Sequence, residues 1–157
     1  MKRNNVLFIS STGGHLDELL QLKELFNKYD SFIVTEKTKS NIELKEHFNN
    51  VYYLVYGTRK FIIIYFFKFL FNIIKSFILF FKIKPRVVVT TGTHTAVPMC
   101  YIAKLFRRKV IYIETYANRN SKTLAGRMIY PIADTFIVQW EDMLKLYPKA
   151  KCFGSVY

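Results

Sequence analysis

The chain has 157 residues, is 51% hydrophobic and 17% aromatic, and carries a formal net charge of +13. This length suits one domain with a substantial core, and the composition excludes a disordered protein. Met1–Asn5 is followed by only four apolar residues, so no secretory signal peptide is predicted. Cys100 and Cys152 lie far apart without metal-ligand spacing, which predicts two free thiols and no metal site.

The positive charge is concentrated in the middle of the chain. Residues 47–113 contain eleven Lys and Arg residues and no Asp or Glu. A localised basic field predicts an anionic partner, which is a lipid headgroup, a phosphorylated substrate or nucleic acid. Nucleic acid is disfavoured because the sequence has no helix-turn-helix, zinc-finger or RNA-binding signature.

Predicted strands alternate with predicted helices along the whole chain. The strands are Asn5–Ser10, Ser31–Thr35, Val51–Val55, Arg86–Thr90, Val110–Ile113, Thr135–Val138 and Lys151–Phe153. The helices are Leu16–Phe26, Lys39–Phe48, Lys60–Lys82, Ala96–Phe106, Leu124–Ile132 and Trp140–Tyr147. Most strands are continuous apolar runs, as in parallel sheets with both faces covered. The pattern therefore predicts an α/β fold with a single doubly wound, Rossmann-like parallel sheet.

The most apolar stretch is Phe61–Lys82, with the sequence FIIIYFFKFLFNIIKSFILFFK. It is the predicted crossover helix between the third and fourth strands. Lys68, Lys75 and Lys82 recur at every seventh position, which places them close to one line on a helix. Apart from this narrow polar line the helix is apolar almost all round, unlike the amphipathic helices of most soluble proteins.

We expect segment 60–83 to associate with a membrane surface. One apolar side would pack on the core, and another, with Phe66, Phe67 and Phe71, would enter the bilayer surface. The lysines would then meet anionic headgroups. The alternatives are a plain core helix and a transmembrane span. A span fits poorly because Lys68 and the next lysine would lie within hydrocarbon.

A doubly wound sheet binds its ligand outside the carboxyl ends of its strands, at the point where the strand order reverses. Three polar loops occupy such positions here, at residues 11–15, 91–95 and 114–121. All three contain side chains that are capable of catalysis or of binding a polar ligand.

In the first loop, Gly13, Gly14 and His15 open a predicted helix. The free N–H groups of a helix start favour a phosphate or carboxylate, and glycine lets the backbone approach it. His15 is a candidate general base on a hydroxyl group or a phosphate ligand. A tight turn with a capping histidine is the alternative. The dinucleotide pattern G-x-G-x-x-G is absent, so NAD is disfavoured and no cofactor is expected.

The second and third loops also contain candidate residues. Thr93 and His94 lie at a helix start rich in threonine, which suits an anionic ligand, although a simple N-cap explains the pattern as well. Glu114 is the first acidic residue after a long gap, and it ends a buried strand, which favours a functional role. Arg119 is a candidate ligand of a pyrophosphate or of lipid headgroups.

These loop motifs, taken in order, resemble a family of lipid-linked saccharide transferases. GGH follows the first strand, TTGTHTAVP the fourth and YIETYANRNSKTLAGRMIYPIAD the fifth, and YPKAKCFGSVY resembles the end of the first half of a GT-B fold. The chain is similar to the acceptor-side half of the enzyme that adds N-acetylglucosamine to lipid II precursors. It is more similar to the membrane-anchoring subunit of the two-component transferase that adds the second sugar of dolichol-linked glycans. Bacterial capsule and exopolysaccharide gene clusters contain short versions of that subunit.

The resemblance implies that residues 1–157 form a single acceptor-side GT-B-like domain, peripheral (monotopic) at the cytoplasmic face of the cell membrane. It implies binding of a polyprenyl-pyrophosphate-linked sugar and of a UDP-sugar-binding glycosyltransferase subunit as partner. His15 would be the candidate base, and Glu114 and Asn118 would contact the acceptor sugar. Facing the pyrophosphate would be Gly13, Gly14, Thr93 and His94.

The sequence departs from the eukaryotic subunit, because no N-terminal transmembrane helix is predicted. The Phe61–Lys82 helix would then have to supply membrane attachment. Two other functions stay open. One is a non-catalytic membrane adaptor for the transferase, and the other is a free-standing small α/β enzyme acting on a phosphorylated metabolite.

Overall fold

The computed structural model describes residues 4–58 and 61–157. In these residues seven strands form one sheet, in which every neighbouring pair is parallel and the strand order is β3-β2-β1-β4-β5-β6-β7. The strands are β1 (Asn5–Ser10), β2 (Asp30–Glu36), β3 (Val51–Leu54), β4 (Val87–Gly92), β5 (Lys109–Ile113), β6 (Thr135–Val138) and β7 (Lys151–Cys152). The predicted α/β fold with a single parallel sheet is confirmed.

Helices cover the sheet on both sides. They are α1 (Gly14–Leu20), α2 (Lys23–Lys28), α3 (Leu44–His47), α4 (Ile62–Ile83), α5 (Val97–Leu105) and α6 (Leu124–Ile129), with 3-10 helices at Lys39–Asn41 and Glu141–Lys145. Leu7 and Ile9 of β1 belong to a large hydrophobic cluster that includes residues of α4, α5 and α6. Val6 and Phe8 belong to a second cluster, where the Phe8 ring meets Phe26 of α2 edge-on at 4.6 Å. The alternation along β1 shows that both faces are buried.

The single helix predicted at Leu16–Phe26 is two helices in the structure. The Gln21 N–H still bonds to the carbonyls of Asp17 and Glu18, but Leu22 has a non-helical ψ of 17° and the chain restarts as α2. The break leaves α1 with only seven residues. The predicted N-terminal anion site of a long helix is therefore weaker than the sequence suggests, because a short helix sums fewer peptide dipoles.

Two other predicted helices are shorter or of another type. The polar segment Lys39–Phe48 forms a 3-10 helix followed by the four-residue α3, which buries no residue. Short helices without an apolar face to pack are only marginally stable, which explains the difference. The helix predicted at Trp140–Tyr147 is the 3-10 helix Glu141–Lys145.

Most of the polar line of α4 faces the protein. The Lys68 ammonium group donates to the Tyr56 carbonyl at 3.2 Å, and the Lys82 ammonium group lies 4.9 Å from the centre of the Tyr52 ring. Between them, the Asn72 amide accepts from the Val55 N–H and donates to the Val55 carbonyl, both at 2.8 Å. The sequence predicted the whole line at the headgroups, whereas Lys68 and Lys75 are half-buried and only Lys82 is exposed.

The physical reason for this orientation is the edge of the sheet. β3 is an edge strand, and the residues that follow it have backbone groups that need partners. Asn72 and Lys68 of α4 supply these partners, so this part of the polar line bonds to the protein backbone. Lys75, which lies on the same line, is half-buried.

The outer surface of α4 is apolar and exposed. Phe66, Phe67 and Phe71 are 59%, 64% and 52% exposed. Only Asn72, Ser76, Leu79, Phe80 and Ile83 are buried in this helix of 22 residues. Within the described part of the chain it is the one helix that is long and apolar enough to cross a membrane.

Candidate functional site

The loops after β1 and β4 lie side by side at the carboxyl end of the sheet. β1 and β4 are neighbours at the centre, where the strand order reverses, and their pairing shifts register so that Ser10 lies opposite Gly92. The Ser11 N–H donates to the Gly92 carbonyl at 3.1 Å. Parallel α/β sheets bind ligands at this kind of position.

His15 lies in the first turn of α1 and is held by β4. Its Nδ1 lies 2.8 Å from the Thr91 carbonyl oxygen, and the Thr91 hydroxyl donates to the His15 carbonyl at 2.6 Å. A carbonyl oxygen only accepts, so Nδ1 carries the proton and Nε2 of the neutral ring is left as an acceptor. This is the tautomer that a general base requires, although the base role itself stays a prediction.

Glycines leave room around this histidine. Gly13 caps α1 with a φ of +75°, which a residue with a side chain adopts with strain, and nothing lies within 4 Å of where its Cβ, or that of Gly14, would be. Gly92 has a φ of +99°, and its missing Cβ would lie 3.5 Å from Nδ1 of His15. The first two glycines border open space, and the third is favoured by its positive φ at the point where the two loops meet.

Thr93 and His94 lie beside a buried carboxylate that the sequence did not single out. Nε2 of His94 is 3.7 Å from Oε1 of Glu36, a residue at the end of β2 that is 2% exposed. The Thr95 hydroxyl donates to the same oxygen at 2.9 Å, and the Thr93 hydroxyl lies 3.2 Å from Nδ1 of His94. The only sequence signal for Glu36 was its position just after an apolar strand.

The His94 ring also contacts α4. Its centre lies 5.5 Å from that of Tyr65 and 6.4 Å from that of Phe69. Gly57 allows Tyr65 to come close, because a Cβ there would lie 3.2 Å from the tyrosine ring. The loop after β4 therefore adjoins the N-terminal part of the exposed apolar helix.

Glu114 is turned into the protein. It is 1% exposed, and its carboxylate accepts from the hydroxyls of Thr123 at 2.8 Å, Tyr147 at 2.8 Å and Tyr112 at 3.3 Å. Burial raises the pKa of both tyrosines, and the Glu114 charge raises it further. Gly126 packs so closely against this group that a side chain there would collide with it. These contacts organise the loop after β5, and contact with an acceptor sugar stays a prediction.

The remaining predicted residues of this loop are on its outer side. Asn118 is half-buried, and its N–H donates to the Thr115 carbonyl at 3.2 Å. Arg119 is exposed, with its guanidinium group 3.6 Å from the Asp142 carboxylate and 4.9 Å from the centre of the Trp140 ring. Among the described residues, neither the Asn118 nor the Arg119 side chain contacts His15.

Glu18 is a site residue that the sequence reasoning missed. One turn after His15, it is 3% exposed, and its Oε1 accepts from the Thr115 hydroxyl and the Tyr116 N–H, both at 2.8 Å. Its other oxygen has no hydrogen-bond partner among the described residues. Burial raises the pKa of Glu18, against the effect of these two hydrogen bonds and of His15. The spacing of three from His15 on a helix was the available signal.

The described residues contain no group of three or more His, Cys, Asp or Glu arranged to hold a metal ion. Cys100 is buried, and burial raises the pKa of its thiol to about 12, which disfavours a nucleophilic role.

Known proteins resemble the chain in sequence. The UDP-N-acetylglucosamine transferase subunit ALG14 of Kluyveromyces lactis is 36% identical over 93 residues, which cover 52% of this chain and 39% of that protein. The subunit of the same name from Homo sapiens is 33% identical over 87 residues, covering 52% and 40%. The matched segment thus spans about two fifths of the length of these relatives.

Solved structures resemble it in fold. MurG of Acinetobacter baumannii superposes with a TM-score of 0.69 at 19% identity, covering 88% of this chain and 42% of that chain. The UDP-N-acetylglucosamine 2-epimerase of Rickettsia bellii gives a TM-score of 0.72 at 16% identity, covering 98% and 45%. At these identities the likeness shows the fold alone, and it confirms the predicted GT-B-like architecture.

A family model gives the more extensive match. The model described as "Oligosaccharide biosynthesis protein Alg14 like" matches residues 6–156, which include all of the sheet except its first residue, Asn5, and all three candidate loops. The resemblance predicted from the loop motifs is thereby confirmed at the level of the family. The chain belongs to the Alg14-like family of oligosaccharide biosynthesis proteins.

Proposed function

We propose that this chain is the membrane- and acceptor-binding subunit of a two-component glycosyltransferase. It binds a polyprenyl-pyrophosphate-linked sugar and recruits a subunit that binds the UDP-sugar, in the assembly of a capsular polysaccharide or exopolysaccharide. The observation that carries the proposal is the contact of His94 with Tyr65 and Phe69. It joins the candidate site to the exposed apolar helix, so a lipid-linked acceptor reaches the site without leaving the membrane surface.

The packing of α4 supports a peripheral position at the membrane surface. The helix contacts the rest of the protein along most of its length, from Tyr65 near its start to Ile83 at its end. A helix held in this way cannot cross the bilayer unless the domain enters it too. It lies along the interface instead, with Phe66, Phe67 and Phe71 in the acyl boundary.

Exposed cations lie at the C-terminal end of α4. The Phe106 ring packs 5.0 Å from Phe81, and the segment that follows it pairs with the chain after α4 through the Lys109 N–H and the Arg86 carbonyl at 3.2 Å. The exposed basic residues here are Lys82, Lys84, Arg86, Arg107, Arg108 and Lys109. These cations, among them Lys82 of the lysine line, supply the attraction to anionic headgroups that the sequence assigned to the whole line.

The reaction places one chemical demand on this chain. The acceptor hydroxyl loses its proton to Nε2 of His15 as its oxygen attacks the anomeric carbon of the UDP-sugar, and UDP departs with the bonding electrons. The hydrogen bond from Nδ1 to the Thr91 carbonyl holds the ring in the tautomer that accepts this proton. Gly13, Gly14 and Thr93 lie at the pyrophosphate end of the acceptor, and Asn118 at its sugar.

The test is sugar transfer to a lipid-linked acceptor by the chain co-expressed with the product of the neighbouring gene. His15→Gln should lower the transfer rate by roughly 10²–10⁴-fold, the usual contribution of a general base, while partner recruitment is retained. His47→Gln, on the exposed α3, is the matched control and should leave the rate unchanged. Full activity of His15→Gln would indicate a non-catalytic adaptor, and full activity without the partner would indicate a free-standing enzyme.

A further inference from the structure

The carboxyl end of the sheet is rich in buried acidic groups. Glu18, Glu36 and Glu114 are 3%, 2% and 1% exposed, and each lies in or beside a loop of the candidate site. Burial raises the pKa of Glu18, and the charge of Glu114 acts in the same direction. An acceptor pyrophosphate placed beside these groups would be repelled unless cations compensate its charge.

Most cations near this end already have partners. Arg119 interacts with Asp142 and Trp140, and the Lys122 ammonium group lies 5.0 Å from the centre of the Tyr147 ring. Two cations in the loop after β2 differ in this respect. Lys37 and Lys39 are exposed, and in the described part of the chain neither ammonium group has an ion-pair or hydrogen-bond partner.

The loop that contains these lysines is attached to the first site loop. The hydroxyls of Thr38 and Thr12 lie 3.3 Å apart, and Thr12 directly precedes Gly13. Asn41 fixes the loop from the other side, because its amide donates to the Glu36 carbonyl at 2.7 Å and its oxygen accepts from the Thr38 N–H at 3.0 Å. The lysine loop is therefore held against the first site loop and forms a wall beside it.

A cavity of about 600 Å³ opens against this wall, lined by Lys37, Thr38, Lys39, Ile42 and Tyr56. Its lining combines two ammonium groups with one hydroxyl and two large apolar side chains. The Tyr56 carbonyl is bound by Lys68 of α4, so the cavity adjoins the start of the membrane helix. The lining fits an anionic headgroup joined to an apolar chain, which is the chemistry of a prenyl phosphate ester.

We infer that this cavity binds the pyrophosphate and the first isoprene unit of a polyprenyl-pyrophosphate acceptor. Lys37 and Lys39 compensate the phosphate charge, the Thr38 hydroxyl donates to a phosphate oxygen, and Ile42 and Tyr56 contact the isoprene. The inference rests on the proposed function and deepens it. Lys37 and Lys39 supply positive charge beyond the neutral groups that Gly13, Gly14 and Thr93 present to the pyrophosphate.

The test uses farnesyl pyrophosphate as the probe, with inorganic pyrophosphate and mixed phosphatidylcholine/phosphatidylglycerol vesicles as separate arms. In titration calorimetry, K37Q/K39Q should weaken farnesyl pyrophosphate binding by roughly tenfold or more, because two charge-assisted contacts are lost. K149Q/K151Q, which removes two exposed lysines before and in β7, is the charge-matched control and should bind as the unaltered chain does.

Tyr56→Ser separates the two halves of the cavity. It should weaken farnesyl pyrophosphate binding by roughly tenfold while inorganic pyrophosphate binding stays the same, since only the prenyl contact is lost. Vesicle binding of K37Q/K39Q should stay within about twofold, because α4 and the distant cations supply it.

Equal binding of farnesyl pyrophosphate by K37Q/K39Q and the unaltered chain would overturn the inference. So would a parallel loss of vesicle binding, because the lysines would then attract any anionic headgroup. Both outcomes are distinct from a failure of the proposed function, which would show as absent sugar transfer by the two-component enzyme or absent vesicle binding through α4.

Discussion

Two neighbouring helices, α4 and α5, contribute to the same hydrophobic cluster but bury very different shares of their residues. In α5 five of nine residues are buried, with Met99 and Cys100 fully so. In α4 only five of 22 are buried, although this helix is the more apolar of the two. An apolar sequence therefore predicts that a helix surface is shielded from water. The tertiary contacts are needed to decide whether protein or lipid shields it.

The largest predicted effect concerns the exposed face of α4. F66S/F67S/F71S should lower binding to anionic vesicles by at least roughly a thousandfold, because each buried phenylalanine contributes about 1.5–3 kcal/mol. The free energy of unfolding should change by less than about 0.5 kcal/mol, because these side chains are exposed in the protein. Vesicle sedimentation and urea denaturation measure the two quantities.

The converse variant lies in α5. Met99→Ala should lower the free energy of unfolding by about 2–5 kcal/mol, since it empties part of the core, and should leave vesicle binding of the folded protein unchanged. If the triple variant of α4 unfolds while Met99→Ala does not, the two helices have the opposite roles to those assigned here.

An intermediate effect is expected at Asn72, whose side-chain amide joins α4 to the backbone of Val55 beside the edge strand β3. Asn72→Leu removes both hydrogen bonds to Val55. The N–H and the carbonyl of Val55 then lose these partners. The free energy of unfolding should fall by about 2 kcal/mol in urea denaturation. Ser76→Ala, one turn further along the buried side, is the matched control. The Ser76 hydroxyl is buried without a partner among the described residues, so its removal should be neutral or stabilising.

The smallest predicted effect is a pH-dependent change in the free energy of unfolding. It concerns Asp134, which bonds to Lys104 of α5. Burial opposes ionisation of Asp134, but hydrogen bonds from Lys104 of α5 and from the Val110 N–H outweigh it and hold the pKa below its ordinary value. A depressed pKa gives stability that is present above the unfolded-state pKa and is lost as the pH falls through the folded-state value.

Asp134→Asn should therefore cost about 1 kcal/mol or less at neutral pH, because the carboxylate is 38% exposed. The difference from the unaltered chain should shrink as the pH falls below about 4. The effect of Asn72→Leu should not vary over this range, since the amide does not titrate. A constant effect of Asp134→Asn from neutral to acidic pH would contradict this assignment.

Local patterns were enough to predict most of the fold. Continuous apolar runs predicted the seven strands, and their alternation with helices predicted the parallel sheet. The same reasoning brought the loops with His15 and Thr93 together, because the carboxyl ends of parallel strands meet at one edge. The break between α1 and α2 was missed because the apolar spacing of three and four residues continues through Leu22, where the helix is interrupted.

Side-chain direction was less predictable than element type. Glu114 and Glu36 follow buried strands and differ from surface acids only by their tertiary partners, which are hydroxyls from distant segments. The lysines of the cavity, Lys37 and Lys39, lie just before and at the start of the predicted polar helix Lys39–Phe48, whose pattern does not indicate a binding site. Their relevance comes from the wall that Thr38 forms with the first site loop.

The sequence by itself determined that α4 is a long helix with a narrow polar line and a large apolar surplus, since periodicity and composition are local properties. Only the tertiary structure decided which side of that helix meets the sheet. Backbone groups beyond the edge strand needed polar partners, and Asn72 and Lys68 supply them. The aromatic side was thereby left outward, which turns an apolar crossover helix into a surface for lipid.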